Sequence, residues 1–296
     1  MRNEIYNREW RWIEQLSAAF HVFSANISSV IKVMTIIFLP ISLLQVIIGD
    51  RMMSAYTVFQ QFTQMDIAAI NQSELLTTAY HVLLNYGLLL MVTLFLEPVG
   101  IIAIAKVVKQ YIDGKEVSMG QALSEAFSLM PTIIVTGIIY GVLVFLGSIV
   151  IVPGVYFSIA WGFYLFCIGL SGKKGWAALK YSKELVKGKW WRTFAYLWLL
   201  SIVAMLWNSV FQLIYVFVPA GTASDILYQF LCYFSLAFVA TGETLLFINR
   251  EAITFGVHPA VDAPVAEMPE ENRPVESVEG TVEGEPVEQN EEKKDE

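Results

Sequence analysis

Hydrophobic and polar positions alternate on a coarse scale along this chain, in six long apolar runs separated by polar connections. The runs cover roughly Val30–Ile48, Val82–Ala105, Ile133–Val152, Val155–Leu170, Phe194–Val218 and Ile226–Ile248. A bilayer core about 30 Å thick needs ~20 apolar residues in a helix that rises 1.5 Å per residue. Five runs reach that length. Val155–Leu170 is shorter, and its hairpin relation to the preceding run supports it as a span. The pattern predicts an all-α polytopic membrane bundle of six transmembrane helices over residues 30–250, preceded by an amphipathic N-terminal helix within residues 1–29. No apolar stretch followed by a small-residue cleavage site stands at the start, so no cleavable signal is expected.

A finer period appears before each pair of runs. In the first segment Trp10, Ile13, Leu16, Ala19, Phe20 and Phe23 recur at three- and four-residue spacing, with Arg8, Arg11, Glu14 and Gln15 opposite. Similar segments surround Ala122-Leu123-Ser124-Glu125-Ala126-Phe127 and Ala178-Leu179-Lys180-Tyr181-Ser182-Lys183-Glu184-Leu185. Such a pattern predicts helices lying in the headgroup plane. The simplest organisation is three repeats of one amphipathic helix plus two spans.

Charge orients this arrangement. The leader carries Arg2, Arg8 and Arg11. The second-to-third connection carries Lys106, Lys109 and Lys115, and the fourth-to-fifth carries Lys173, Lys174, Lys180, Lys183, Lys187, Lys189 and Arg192. Arg250 follows the sixth run, whereas the opposite connections hold only Arg51. Because Lys and Arg translocate poorly, the basic side is expected to be cytoplasmic, with both termini inside the cell membrane. The formal net charge of −8 hides this polarity. Residues 259–296 contain thirteen acidic and three basic residues, which leaves residues 1–258 at about +2. The tail, with Glu-Pro-Val pieces and no apolar period, is expected to be a disordered cytoplasmic extension, with a basic protein partner as one use for it.

The fourth-to-fifth connection interleaves its seven cations with Trp176, Tyr181, Trp190 and Trp191. Tryptophan favours the headgroup level, and each lysine there adds about 1 kcal/mol against an anionic leaflet. Lys173, Lys174, Lys180, Lys183, Lys187, Lys189, Trp190, Trp191 and Arg192 are therefore candidate contacts to lipid headgroups of an anionic inner leaflet. Plain anchoring and topology control is the simpler use of the same residues.

The stretch Ala177-Ala178-Leu179-Lys180-Tyr181-Ser182-Lys183-Glu184-Leu185-Val186-Lys187-Gly188-Lys189-Trp190-Trp191-Arg192-Thr193-Phe194 resembles the recurring A-L-x-x-S-x-x-L-V-x-G-x-W-W-R block of a bacterial family, the glycerophosphoryl diester phosphodiesterase membrane domain and related integral membrane proteins. Asp113-Gly114-Lys115-Glu116-Val117-Ser118 before Ala122-Leu123 is similar to the approach to another such helix. The resemblance spans about residues 5–255 and implies an α-helical membrane domain, in some members joined to a phosphodiesterase. No segment here matches that catalytic domain, so the family's reaction is not implied.

Ionisable residues inside a span are costly and face other helices or water. Glu97, followed by Pro98 and Gly100, lies about eight residues from the inner end of the second run. Proline removes a helix hydrogen bond, so an adjacent carboxylate is placed to line a cavity or relay an ion. Glu243 stands at a comparable place in the sixth run, and Lys32 is a candidate partner for Glu97. A structural pair or a hydrogen-bonded acid is the commoner role for such groups. Cys167 and Cys232 lie inside apolar runs and read as packing residues. The histidines have no metal-ligand spacing, and neither a nucleophile elbow nor a phosphate-binding glycine loop is present, so no catalytic residue, metal, cofactor or nucleic acid is expected. The expected function is a non-catalytic membrane module associated with lipid or a protein partner. The alternative is a small transporter with Glu97 and Glu243 in a polar cavity.

Overall fold

The computed structural model describes residues 2–62 and 71–257; the expectations for the acidic tail lie outside these residues. Among the described residues ten helices follow in chain order: α1 (Arg2–Asn7), α2 (Trp12–Ala25), α3 (Ile27–Phe62), α4 (Gln72–Ile112), α5 (Met119–Ser128), α6 (Met130–Ser148), α7 (Val152–Gly169), α8 (Trp176–Val186), α9 (Trp190–Tyr215) and α10 (Thr222–Phe255). No strand occurs among the described residues. Helices α3, α4, α6, α7, α9 and α10 are each long and apolar enough to cross a membrane, so the chain is an all-α polytopic helical bundle. After α1, the order is an amphipathic helix and two spans, three times over.

Local signals set the helix ends. The Asn71 side chain caps α4 by accepting from the Ser73 backbone N–H, and Ser118 caps α5 by accepting from Gln121. Gly256 closes α10 in the left-handed conformation that an L side chain resists. Pro131 and Pro153 stand in the first turns of α6 and α7, where a missing N–H is harmless.

Two prolines lie inside helices instead, and both have the same consequence. Met34–Phe38 in α3 and Val92–Leu96 in α4 widen into π turns just before Pro40 and Pro98. Proline lacks an N–H and its ring crowds the carbonyl four residues back, so the preceding turn opens to relieve both. The two sequences, Met-Thr-Ile-Ile-Phe-Leu-Pro and Val-Thr-Leu-Phe-Leu-Glu-Pro, match in their Thr and Pro positions. Beyond the second π turn, α4 approaches α3 closely. A Cβ built on Gly100 would lie 2.4 Å from the ring of Phe38, so only glycine fits there.

Helix α10 is the axis of the fold, packed against α1, α2, α3, α4, α8 and α9. The residues from Thr244 through Ala252 are all buried. Helices α6 and α9 are peripheral, with side chains such as Phe145, Trp198 and Met205 facing outward. That inversion of the soluble pattern is expected where the surrounding solvent is hydrocarbon.

Several expectations need correction. Helices α3 and α4 run past the ends of their apolar runs, through Phe62 and from Gln72, and at 36 and 41 residues they exceed a bilayer core by many turns. The fourth run is two helical pieces, Val152–Ala160 and Tyr164–Gly169, separated by a turn at Trp161–Phe163. The buried face of α2 is Gln15, Ala18, Ala19, Val22 and Phe23, whereas Ile13 and Phe20 are exposed. This helix packs on α10, and that contact accounts for its rotation.

Candidate functional site

Two polar clusters stand out, one at membrane depth and one at the Lys- and Arg-rich end. The first is centred on Glu97, in the turn that follows the π turn of α4. Its Oε1 accepts from Gln45 Nε2 of α3 at 2.9 Å and from the Tyr233 hydroxyl of α10 at 2.6 Å. Gln229 Nε2 donates to Gln45 Oε1 at 2.9 Å, so the amides and phenol form one network across three helices. The Phe38 ring, seated over Gly100, packs on Tyr233 with centroids 4.7 Å apart. Glu97 also lines a cavity of 180 Å³ with Thr93, Pro98, Ile101, Gly137 and Tyr164. A second cavity, of 470 Å³, holds Gln45, Thr93 and Gln229 together with Asp50 and Asp225 at the other end of the bundle. Thr93 and the Gln45–Glu97 bond thus stand between two spaces.

Lys32 is not the partner of Glu97. Its side chain is exposed on α3 and, among the described residues, makes no ion pair. Nor is Glu243 among the residues that line the cavity at Glu97. On α10 the residue that meets Glu97 is Tyr233, ten positions before Glu243, which is about 15 Å along the helix. Glu243 lies instead within electrostatic reach of Tyr140 and Tyr196. Tyr140 stacks on Tyr164, with centroids 4.6 Å apart, and this pair connects the surroundings of the two acids.

The second cluster is centred on Glu9, in the segment between α1 and α2. Arg250 Nη1 donates to Glu9 Oε1 at 2.6 Å, Arg192 Nη1 reaches the same oxygen at 3.0 Å, and Lys189 Nζ lies 3.3 Å from Oε2. Burial works to raise the Glu9 pKa, but Arg250, Lys189 and Arg192 outweigh it and hold the carboxyl below its ordinary range. The adjoining backbone is held by Asn249 of α10. Its Nδ2 donates to the Ile5 and Arg8 carbonyls at 2.7 and 2.8 Å, and its Oδ1 accepts from the Trp10 N–H at 3.2 Å.

Beside this cluster is a pocket of 330 Å³ between α2 and α9, lined by Trp10, Trp12, Gln15, Trp191, Arg192 and Arg250, with Ala195 at its membrane side. Trp10, Gln15 and Arg250 are nearly fully buried at 4%, 3% and 3% exposure, yet Trp10 Nε1 and Arg250 Nε have no hydrogen-bond acceptor. A buried donor in that condition costs about 1–3 kcal/mol.

The remaining basic candidates divide by environment. On α8, Leu179, Ser182, Leu185 and Val186 face inward, while Trp176, Lys180 and Lys183 form an exposed stripe at three- and four-residue spacing, continued by exposed Lys187 at the C-cap. Lys174 is also exposed, and Lys173 Nζ sits 5.3 Å above the Tyr181 ring. Trp190 is half-buried and packs on its neighbours. Its Nε1 donates to the Tyr156 carbonyl at 3.3 Å, and its ring stacks on Phe194 with centroids 5.4 Å apart. Arg250, expected as a simple end-of-helix cation, is enclosed inside α10's buried face.

Glu9, Gln45, Asn249 and Tyr233 were not singled out from the sequence. A polar residue in an apolar run is a readable signal for Gln45 and Tyr233. Nothing local distinguishes Glu9 from any other exposed acid, because its three partners come from 180 or more positions away.

No family model matches this chain, and neither the curated proteins nor the solved structures contain a significant match to it.

Proposed function

We propose that the protein is a non-catalytic membrane module that gathers anionic phospholipid around its Lys- and Arg-rich side, which is the cytoplasmic side of the cell membrane. The observation that carries this reading is the outward stripe of Trp176, Lys180 and Lys183 on α8, continued by Lys187 at the C-cap of a helix whose opposite face is fully packed. Those charges are not consumed inside the fold, apart from a 3.5 Å pair of Lys187 with Glu184 of α8. Tryptophan at the headgroup level with several lysines beside it is the chemistry of attraction to an anionic leaflet, worth about 1 kcal/mol per charge. The likeness of Ala177–Phe194 to the glycerophosphoryl diester phosphodiesterase membrane domain accords with a module working beside a separate enzyme of lipid metabolism.

The test is reconstitution of the full chain into vesicles mixing phosphatidylglycerol with phosphatidylcholine, followed by analysis of the lipid that remains around the protein on gentle extraction. Enrichment of phosphatidylglycerol at low salt, reduced by Lys180→Gln/Lys183→Gln/Lys187→Gln, is the expected result. A lipid shell of the same composition as the bulk would refute the reading.

A second reading, a small transporter, is favoured by the Gln45–Glu97–Tyr233 network standing between two cavities beside a π turn. Flux of protons and small cations into proteoliposomes, abolished by Glu97→Gln, is its test.

A further inference from the structure

The pocket between α2 and α9 differs from the α8 stripe in being recessed, and its walls have a specific chemistry. Glu9 supplies one negative charge to three cations, Arg250, Arg192 and Lys189, so the cluster retains a positive surplus. Two N–H groups beside the pocket, Trp10 Nε1 and Arg250 Nε, have no acceptor, and the Gln15 amide is buried next to them. A wall that carries surplus positive charge and the Arg192 guanidinium suits an anionic group with several acceptor oxygens, such as a phosphate.

The surroundings say which phosphate. Trp12 and Trp191, at 53% and 75% exposure, form an apolar rim. Trp191 and Ala195 line the pocket, and Trp198 follows three positions on, so the three share one face of α9. Trp198 is 62% exposed, and Met205 two turns on is 69% exposed. A charged pocket at the end of an apolar lane running into the membrane fits an amphiphile.

We propose that this pocket seats the phosphodiester of one glycerophospholipid, with an acyl chain lying along the Trp191–Ala195–Trp198 face of α9. The inference rests on the lipid-module reading and deepens it, from diffuse attraction to a single site. The headgroup oxygens accept from the exposed Arg192 guanidinium, with the Arg250 charge in the wall behind it, and Trp191 covers the glycerol. The site needs both ends of the chain, since Trp10 and Gln15 precede the first span while Arg192 and Arg250 bracket the last two.

The experiment is native mass spectrometry of the full chain, exchanged from phosphatidylglycerol-containing nanodiscs into neutral detergent at about 1 M salt, where the Debye length of ~3 Å removes diffuse attraction. One phosphatidylglycerol retained per chain is expected. Arg192→Gln and Trp191→Ala, both at exposed side chains that leave the Glu9–Arg250 pair intact, should each weaken retention about tenfold. Lys180→Gln/Lys183→Gln/Lys187→Gln should leave it unchanged. Short-chain phosphatidylglycerol should displace the lipid, whereas glycerophosphate and inorganic phosphate should not. The pocket assignment is overturned by retention that survives both pocket substitutions, by absence of retained lipid in the wild type, or by displacement with inorganic phosphate as effective as with short-chain lipid. Each of these can occur with anionic lipid still enriched in the shell at low salt, so the broader reading fails separately.

Discussion

Arg250, near the end of the last helix, donates its Nη1 to Glu9, ahead of the first amphipathic helix, at 2.6 Å across 241 positions of sequence. This bond, with the Asn249 bonds beside it, ties the residues ahead of α2 into the face of α10. Arg250 is 3% exposed and Glu9 is its only carboxylate partner among the described residues.

Glu9→Gln should therefore destabilise the protein by roughly 2–4 kcal/mol, because it leaves Arg250 buried without its counter-charge. Combining it with Arg250→Met should recover much of that loss, since two uncharged groups need no partner. Thermal unfolding in detergent of the two single variants and the double variant measures the coupling. Additive losses would show that the pair is not the source of the stability.

The same pair gives a sign to the pH dependence. The Glu9 carboxyl is held below its ordinary value, with Arg250 the largest of the lowering influences that overcome its burial. Glu125 is lowered by its bond from Lys106, and Glu14 by the Arg11 backbone N–H. A depressed folded-state carboxylate contributes stability that is present above the unfolded pKa and lost as pH falls through the folded one. The melting temperature should thus fall progressively below about pH 4, the ordinary carboxylate range. In Glu9→Gln the acid slope should be shallower.

At Glu97 the shape of the side chain matters to the fold independently of its charge. Glu97→Gln keeps an acceptor for Gln45 and Tyr233 and should fold with little loss. Glu97→Leu strands the Gln45 amide N–H and should cost about 1–3 kcal/mol. Tyr233 keeps Gln45 Oε1 as an acceptor at 2.8 Å, so Tyr233→Phe in the Leu background should restore little of it. Thermal melts of these variants separate this structural role from any loss of flux.

The contact of Gly100 with Phe38 is a packing test. A methyl at Gly100 would overlap the Phe38 ring, with 2.4 Å between carbon centres. Gly100→Ala should lower stability by about 1–3 kcal/mol through overpacking. Phe38→Leu, in the same chain, should relieve it in spite of being damaging alone. The sign of that coupling is the readout.

Orientation is checked with reporter fusions truncated after successive spans. Fusions after Ser73 and after Ala223 should report the outer side, and those after Lys115 and Gly188 the cytoplasm. The motive is the concentration of Lys and Arg on alternate connections. An external reporter after Gly188 would invert the arrangement and move the α8 stripe to the other leaflet.

The sequence by itself determined the class of the protein. Twenty-residue apolar runs require helices in hydrocarbon, where every backbone N–H and C=O must be satisfied within the segment. The count of spans, their order and the amphipathic helix before each pair were legible for that reason, as were Glu97 beside Pro98 and the basic stripe of α8. Lengths were less legible. The α3 and α4 helices continue past their apolar runs, since polar residues such as those around Asp50 and Tyr80 are no obstacle to a helix once outside the membrane core. Partners were decided by the tertiary structure alone. Glu97 meets Gln45 and Tyr233 rather than Lys32, because the π turns before Pro40 and Pro98 and the close approach at Gly100 set how α3 and α4 face α10. Glu9, Asn249 and Arg250 become one cluster, and Trp10 and Trp191 face one pocket, through folding that brings positions some 180 to 240 residues apart into contact. Local periodicity reports which side of a helix is apolar; which neighbour covers that side is a property of the whole packed bundle.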